Sequence, residues 1–181
     1  LRMLNPSPYM FFLRHQDHAI VGSSPEILVS VWNHEVVVRP IAGTRPRGKT
    51  SEEDLALEQE LLADEKERAE HVMLIDLARN DVARVSKPGT RYVPRLLTVD
   101  RYSHVMHLVS YVEGELREDL DALHAYAASM NMGTLVGAPK IKAAQILRHR
   151  EPTRRGPYGG AVGYVMADGR MDTAIIIRSA V

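Results

Sequence analysis

The sequence predicts an α+β domain, an antiparallel β-sandwich-like core with flanking helices, on three observations. Apolar segments of strand length recur between turn residues at both ends of the chain. A long charged stretch between them, 51–83, carries helical spacing. The N-terminal strands follow one another as an antiparallel meander. With 181 residues the chain is long enough for one sizeable core, and nothing in it marks a second domain.

The N-terminal strands come first. Asn5-Pro6-Ser7-Pro8 opposes a helix and leads into an aromatic and apolar strand, Tyr9 to Leu13. Gln16 and Asp17 make a turn, and Ala19 to Val21 return. After the Ser23-Ser24-Pro25-Glu26 turn, Ile27 to Val31 and Glu35 to Val38 form a hairpin across Trp32-Asn33-His34. Pro40 to Gly48 reads as a loop. Its glycines permit close backbone approach and its arginines can meet an anion, or it is an ordinary solvated turn.

One helix is expected from about Ser51 to Ala83, with Ser51 as N-cap ahead of Glu52, Glu53 and Asp54. Within it Glu67, Glu70 and His71 share a face that Leu74 and Ala78 continue. Two carboxylates and an imidazole beside an apolar wall can hold a hard divalent cation or exchange protons with a ligand; a solvated charged turn has the same pattern. Asp76 and Arg79 lie opposite, spaced for a local ion pair. From Arg101 to Leu116 the chain is strand-like, with Val105, His107, Val109 and Tyr111 on one face and Met106, Leu108 and Ser110 on the other. His107 is thus an imidazole in apolar surroundings, which suits either a hydrogen-bonded core residue or a proton-transfer group.

Asp119 to Ser129 is a short amphipathic helix. The loop Asn131 to Ala138 then enters a helix with Pro139 in its first turn, running to about His149, an arrangement that serves an anion or simply starts a helix. Strands near Ala161–Met166 and Thr173–Val181 pair around Asp168-Gly169. Arg178 interrupts the second of them, and a charge there needs a partner, an anionic ligand being one candidate.

Composition excludes several classes. Twenty-three Lys and Arg balance 23 Asp and Glu, so no global field draws in nucleic acid or an anionic membrane. Zero cysteines exclude disulfides, thiolate metal sites and cysteine nucleophiles, and fit a reducing cytoplasm. No apolar run approaches the ~18 residues of a membrane span. The chain starts on Leu rather than Met, with no signal-peptide pattern behind it, and is expected to be a piece of something longer.

The ordered series P-I-A-G-T (40–44), K-E-R-A-E-H-V-M-L-I-D-L-A-R-N-D (66–81), V-M-H-L-V (105–109), M-N-M-G-T-L-V-G-A-P-K (130–140), Y-G-G-A-V-G-Y (158–164) and I-I-I-R-S-A (175–180) resembles the chorismate-utilising enzymes, above all the large subunits of anthranilate synthases. The resemblance covers nearly the whole chain. It implies a partial chorismate-binding catalytic domain over 1–181 in which Glu70 holds Mg2+ with Glu67 beside it. Gly43 and Thr44 would contact substrate, Tyr158 and Arg178 would hold the enolpyruvyl carboxylate, and His107 and Thr134 would stand beside the reacting ring. The implied reaction is addition of ammonia to chorismate, then loss of pyruvate to give anthranilate, the ammonia coming from a glutamine amidotransferase subunit in a hetero-oligomer.

A second implied site is for feedback tryptophan, on Asn5 to Phe12 with Pro8, Tyr9 and Met10 in contact, facing Val162, Gly163 and Tyr164. Relatives of this kind continue upstream, and downstream into a glycine-rich segment and an E-x-x-E-T-x-N-K helix that would add a second metal carboxylate; this piece alone is expected to be inactive. Ala42 stands where aminodeoxychorismate synthases often carry a nucleophilic lysine, which favours anthranilate over that product. The other readings are an isochorismate or salicylate synthase, and a non-catalytic module that binds chorismate or tryptophan without turnover.

Overall fold

Two antiparallel sheets and a layer of helices make up the chain in a computed structural model, which describes residues 2, 3 and 6–181. Asn5, the first residue of the implied tryptophan segment, lies outside the described residues. In the small sheet β1 (Tyr9–His15) pairs with β2 (His18–Ser24), Tyr9 opposite Ser24 and His15 opposite His18. The hairpin of β3 (Ile27–Trp32) and β4 (Glu35–Val38) then opens the large sheet, with Ser30 opposite Val37.

Residues 40–48 are mostly strand rather than loop. β5 (Ile41–Pro46) pairs with β7 (Val105–Glu115), and its register shifts between Ala42 and Thr44. Proline and glycine mark breaks in a sequence, yet an edge strand tolerates Pro, and a bulge takes up Gly43 at φ +65°. β7 is the spine of the sheet. β6 (Tyr92–Arg101) lies along one side; β4 and then β5 lie end to end along the other, joined where the Ser110 N–H donates to the Pro40 carbonyl. β6 is absent from the sequence reading because Pro94 and two register shifts, near Arg95 and before Thr98, disguise its alternation.

The expected single helix over 51–83 is two. α1 (Ser51–Ala63) ends at Asp64, whose carboxylate accepts from the Lys66 and Glu67 N–H groups and so starts α2 (Glu65–Ala83). An aspartate that bonds nearby amides competes with helix continuation, which periodicity does not register. Asp64 and Glu60 also hold Arg45 of β5, at 2.9 and 2.8 Å. The N-cap of α1 is Thr50 rather than Ser51, its hydroxyl accepting from the Glu53 N–H.

α2 lays His71, Leu74, Ile75, Ala78 and Val82 against the large sheet, the three-and-four spacing of a buried stripe. Asp76 and Arg79 form the expected exposed pair at 3.3 Å, of a kind that contributes little stability. α3 (Ala122–Ser129) is capped by Asp121, and its alanines at 122, 125 and 128 bring the helix close to Leu28, Val29 and Val31. Leu28 and Val29 are wholly buried, and burial of each such side chain contributes about 2 kcal/mol. α4 (Gly133–Val136) is one turn; α5 (Lys140–Arg150) follows with Pro139 just outside it.

The last hairpin pairs β8 (Ala161–Val165) with β9 (Met171–Ile175), and β9 lies against β3. The strand expected to run from Thr173 to Val181 stops at Ile175. The chain then crosses to the small sheet, where β10 (Ser179–Ala180) pairs with Gly22 and Val21 of β2. Arg178 stands at that crossing with φ +50°.

Candidate functional site

The Gly43 bulge and the strand beside it build the centre of the site. Thr44 is opposite His107 in the β5–β7 register, and His107 Nδ1 lies 3.0 Å from both the Gly43 carbonyl oxygen and Thr44 Oγ1. A carbonyl only accepts, so Nδ1 carries the hydrogen and Nε2 keeps a free lone pair. Only glycine suits position 43: beyond its positive φ, a Cβ there would lie 3.0 Å from Leu61 Cδ1 and 3.2 Å from Glu67 Oε2. That close approach also places the Glu67 carboxylate directly beside the bulge.

His107 is buried, 4% exposed. Burial lowers its pKa, the Gly43 bond opposes that, and the Arg178 and Arg39 cations lower it further. The imidazole is therefore neutral at neutral pH. It opens with Thr44, Tyr102, Ser103 and Arg178 onto a cavity of about 280 Å³. A larger cavity, about 560 Å³ around Trp32 and Arg170, holds none of the candidate residues.

Glu26 is the functional candidate that the sequence reading passed over, taking it for part of a turn. It is 5% exposed. Burial pushes its carboxyl up to about 8, against the Thr134 hydroxyl, the Ile41 N–H and the charges of Arg178 and Arg39. Glu26 Oε1 and Thr134 Oγ1 lack a well-formed partner within the chain. Buried polar atoms left open in this way suit a ligand or water. Thr134 stands beside Glu26 but lines a separate small cleft with Pro40, Leu74 and Gly133, not the His107 cavity. A signal existed in the sequence, a glutamate directly before the apolar run Ile27–Val31, but turn residues on its other side masked it.

Not all the candidates converge. His71 shares no face with the site: it is fully buried, its Nε2 2.8 Å from Ser110 Oγ, and burial drives its pKa down to about 4. The stripe of α2 turns His71 to the sheet while Glu67 sits half-buried at its end and Glu70 is exposed. Tyr158 is exposed too, its ring 5.9 Å from the Arg155 guanidinium rather than on the cavity wall. Neither Glu67 nor Glu70 makes an ion pair with a described residue, and two free carboxylates one turn apart suit a hard cation that completes its shell with water and substrate oxygens. Among the described residues no group of three His, Asp or Glu side chains converges.

The segments of the implied tryptophan site do meet. The Tyr9 hydroxyl donates to Asp172 Oδ1 at 3.0 Å, and Asp172 is opposite Tyr164 in the β8–β9 register. Gly163 is tight against β9, since a Cβ there would meet the Asp172 carbonyl oxygen at 2.1 Å. Pro8, Met10 and Tyr164 are exposed and Val162 half-buried. Asp172, a second residue absent from the sequence reading, fixes Tyr9.

A family model described as chorismate binding enzyme matches residues 1–181. The chain is 58% identical to anthranilate synthase component 1 of Vibrio cholerae, over 99% of this chain and 36% of that protein. It is 59% identical to that of Pseudomonas aeruginosa, over 100% and 37%. Among solved structures, anthranilate synthase component I from Streptococcus pneumoniae superposes with a TM-score of 0.89 at 46% identity, over 98% of this chain and 39% of that one. An isochorismate synthase from Bacillus anthracis, described as putative and specific for 2,3-dihydroxybenzoate, gives 0.80 at 27%, over 94% and 46%. The chain thus spans little more than a third of the length of the curated relatives it matches. With the family match running the whole length of the chain, this chain belongs to the chorismate-binding enzymes.

Proposed function

We propose that the chain is part of an anthranilate synthase large subunit, converting chorismate and ammonia to anthranilate, pyruvate and water. The observation that carries this is the meeting of Thr44, a neutral His107 and Arg178 on one cavity. Arg178, with Tyr158 where it can reach, would hold the enolpyruvyl carboxylate by charge-assisted bonds. Gly43 and Thr44 would contact the substrate at the bulge. Glu26, kept protonated, can hand a proton to the ring hydroxyl as it leaves and ammonia enters. His107 Nε2 would accept the ring proton as the enolpyruvyl group departs and the ring becomes aromatic, with Thr134 and Glu67 assigned to assist.

Magnesium, held by Glu70 with Glu67 beside it, would neutralise the ring carboxylate. A glutamine amidotransferase subunit would supply the ammonia in a cytoplasmic hetero-oligomer, and tryptophan would bind at Pro8, Tyr9, Met10 and Val162 to Tyr164 as feedback inhibitor. No helix among the described residues is long and apolar enough to cross a membrane.

Replacing the matching segment of the Vibrio cholerae relative with this chain gives a full-length protein in which to test the reading. Supplied with chorismate, magnesium and ammonium, it should release pyruvate and fluorescent anthranilate. Alanine at position 42 forms no covalent amine adduct with the ring, so ammonia itself is the nucleophile. Aminodeoxychorismate or salicylate as main product would refute the assignment. In the same protein Glu70→Gln should raise the magnesium concentration needed for half-maximal rate by about tenfold, the loss of one anionic ligand. An unchanged magnesium requirement would remove Glu70 from the metal site.

A further inference from the structure

Arg39 is a buried cation that the reading above leaves without a role. It lies between β4 and β5, 7% exposed, where an unpaired guanidinium would be costly. Its Nη2 donates to Asp100 Oδ2 and, at 3.0 Å, to the Tyr102 hydroxyl. The guanidinium also stands 5.4 Å from the centre of the Tyr111 ring. Asp100 is shared with Arg95 at 3.6 Å, and the Tyr102 hydroxyl takes a second bond from the same Arg39 nitrogen.

Tyr102 lines the cavity and meets His107 edge-on, ring centres 5.6 Å apart and planes at 61°. Its backbone is held separately, the carbonyl by Arg47 Nη1 at 2.7 Å and the N–H by the Val105 carbonyl at 2.8 Å. With its main chain fixed, the Tyr102 ring keeps its remaining freedom about the side-chain torsions, and the hydroxyl bond to Arg39 removes it. His107, which lines the cavity, is then held at two places, Nδ1 by Gly43 and Thr44 and the ring by Tyr102. We infer that Arg39 is a positioning residue for His107, acting through Tyr102. This rests on the proposed role of His107 in turnover.

The charged and titratable groups around His107 are Arg39, Arg178, Tyr102 itself, His104 on the cavity wall, and Glu67 beside Gly43. Both cations oppose protonation of the imidazole. The test compares Arg39→Met, Tyr102→Phe and the double variant in the full-length graft, by kcat, KM and pH profile, and follows His107 by NMR in histidine-labelled protein without substrate. Each single variant should lower kcat by about tenfold, the cost of a misaimed group, with KM nearly unchanged. The double variant should be no worse than the poorer single one, because both break the same connection. The His107 titration should move up in Arg39→Met, where a cation is lost, and stay in place in Tyr102→Phe.

Additive losses in the double variant, or losses confined to KM, would overturn the inference. Should Arg39→Met fail to fold, Tyr102→Phe decides alone, and an unchanged kcat with an unchanged His107 ring signal counts against it. If the unsubstituted graft makes a product other than anthranilate, the functional reading fails while kcat and the NMR signal still report on positioning.

Discussion

Exchange of His107 for Met in the full-length graft is expected to cut anthranilate formation by about a hundredfold or more, the usual contribution of a well-placed acid–base group. Met fills most of the imidazole volume beside Thr44, Tyr102 and the cavity, so the fold should survive. The loss is specific to one half of the reaction. On the proposed mechanism, entry of ammonia and departure of the hydroxyl would draw on Glu26, whereas aromatisation would draw on the Nε2 lone pair that the Gly43 bond to Nδ1 leaves free. An aminated, still non-aromatic intermediate should therefore build up and be seen by rapid quench and chromatography. Normal anthranilate production in this variant would make His107 a structural residue.

Glu26→Gln should change both turnover and the pH dependence of stability. The folded state raises this carboxyl from 4.5 to about 8. Between those values the folded protein holds a proton that the unfolded chain has released, so stability falls as pH rises across the window. The full loss, 3.5 units at about 1.4 kcal/mol each, is on the order of 5 kcal/mol and is complete only above pH 8. Glutamine keeps the volume and cannot ionise, so the variant should be the more stable protein at pH 9 and close to its parent at pH 5, while turnover drops for want of the proton. Urea unfolding at pH 5, 7 and 9 reads this directly; equal slopes in the two proteins would show that Glu26 is an ordinary carboxylate. His71 works in the opposite sense, since a pKa pushed down from 6.5 to about 4 costs stability as pH falls through that interval.

Much of the architecture was legible because it rests on local signals. The hairpins at Asn33, Asp17 and Gly169 follow from turn residues between apolar runs, and the alternation along 105–111 correctly separates His107 from Met106 and Leu108. What was not legible depends on partners distant in sequence. Pro40–Pro46 looks broken until β7 lies beside it, and the Ile175–Ser179 run looks continuous until β2 claims its end. The site shows the same division. Motif resemblance located Thr44, His107 and Arg178, which meet at the cavity, while Glu26 gains its altered acidity from burial in the folded chain, which no local pattern registers, and Tyr158 turns outward onto Arg155.

The pairing of β3 with β9 also bears on how the molecule assembles. Val29 and Thr173 bond to each other across 144 positions, whereas the β1–β2, β3–β4 and β8–β9 ribbons close over a few residues. Loop-closure entropy disfavours the long connection by about 3 kcal/mol relative to a five-residue loop, and contacts of such separation slow folding. The ribbons are thus the early structures, and docking of β9 onto β3 is the late one. Arg178 lies beyond β9 in the chain, so the cationic wall of the cavity is put in place only after the long loop has closed.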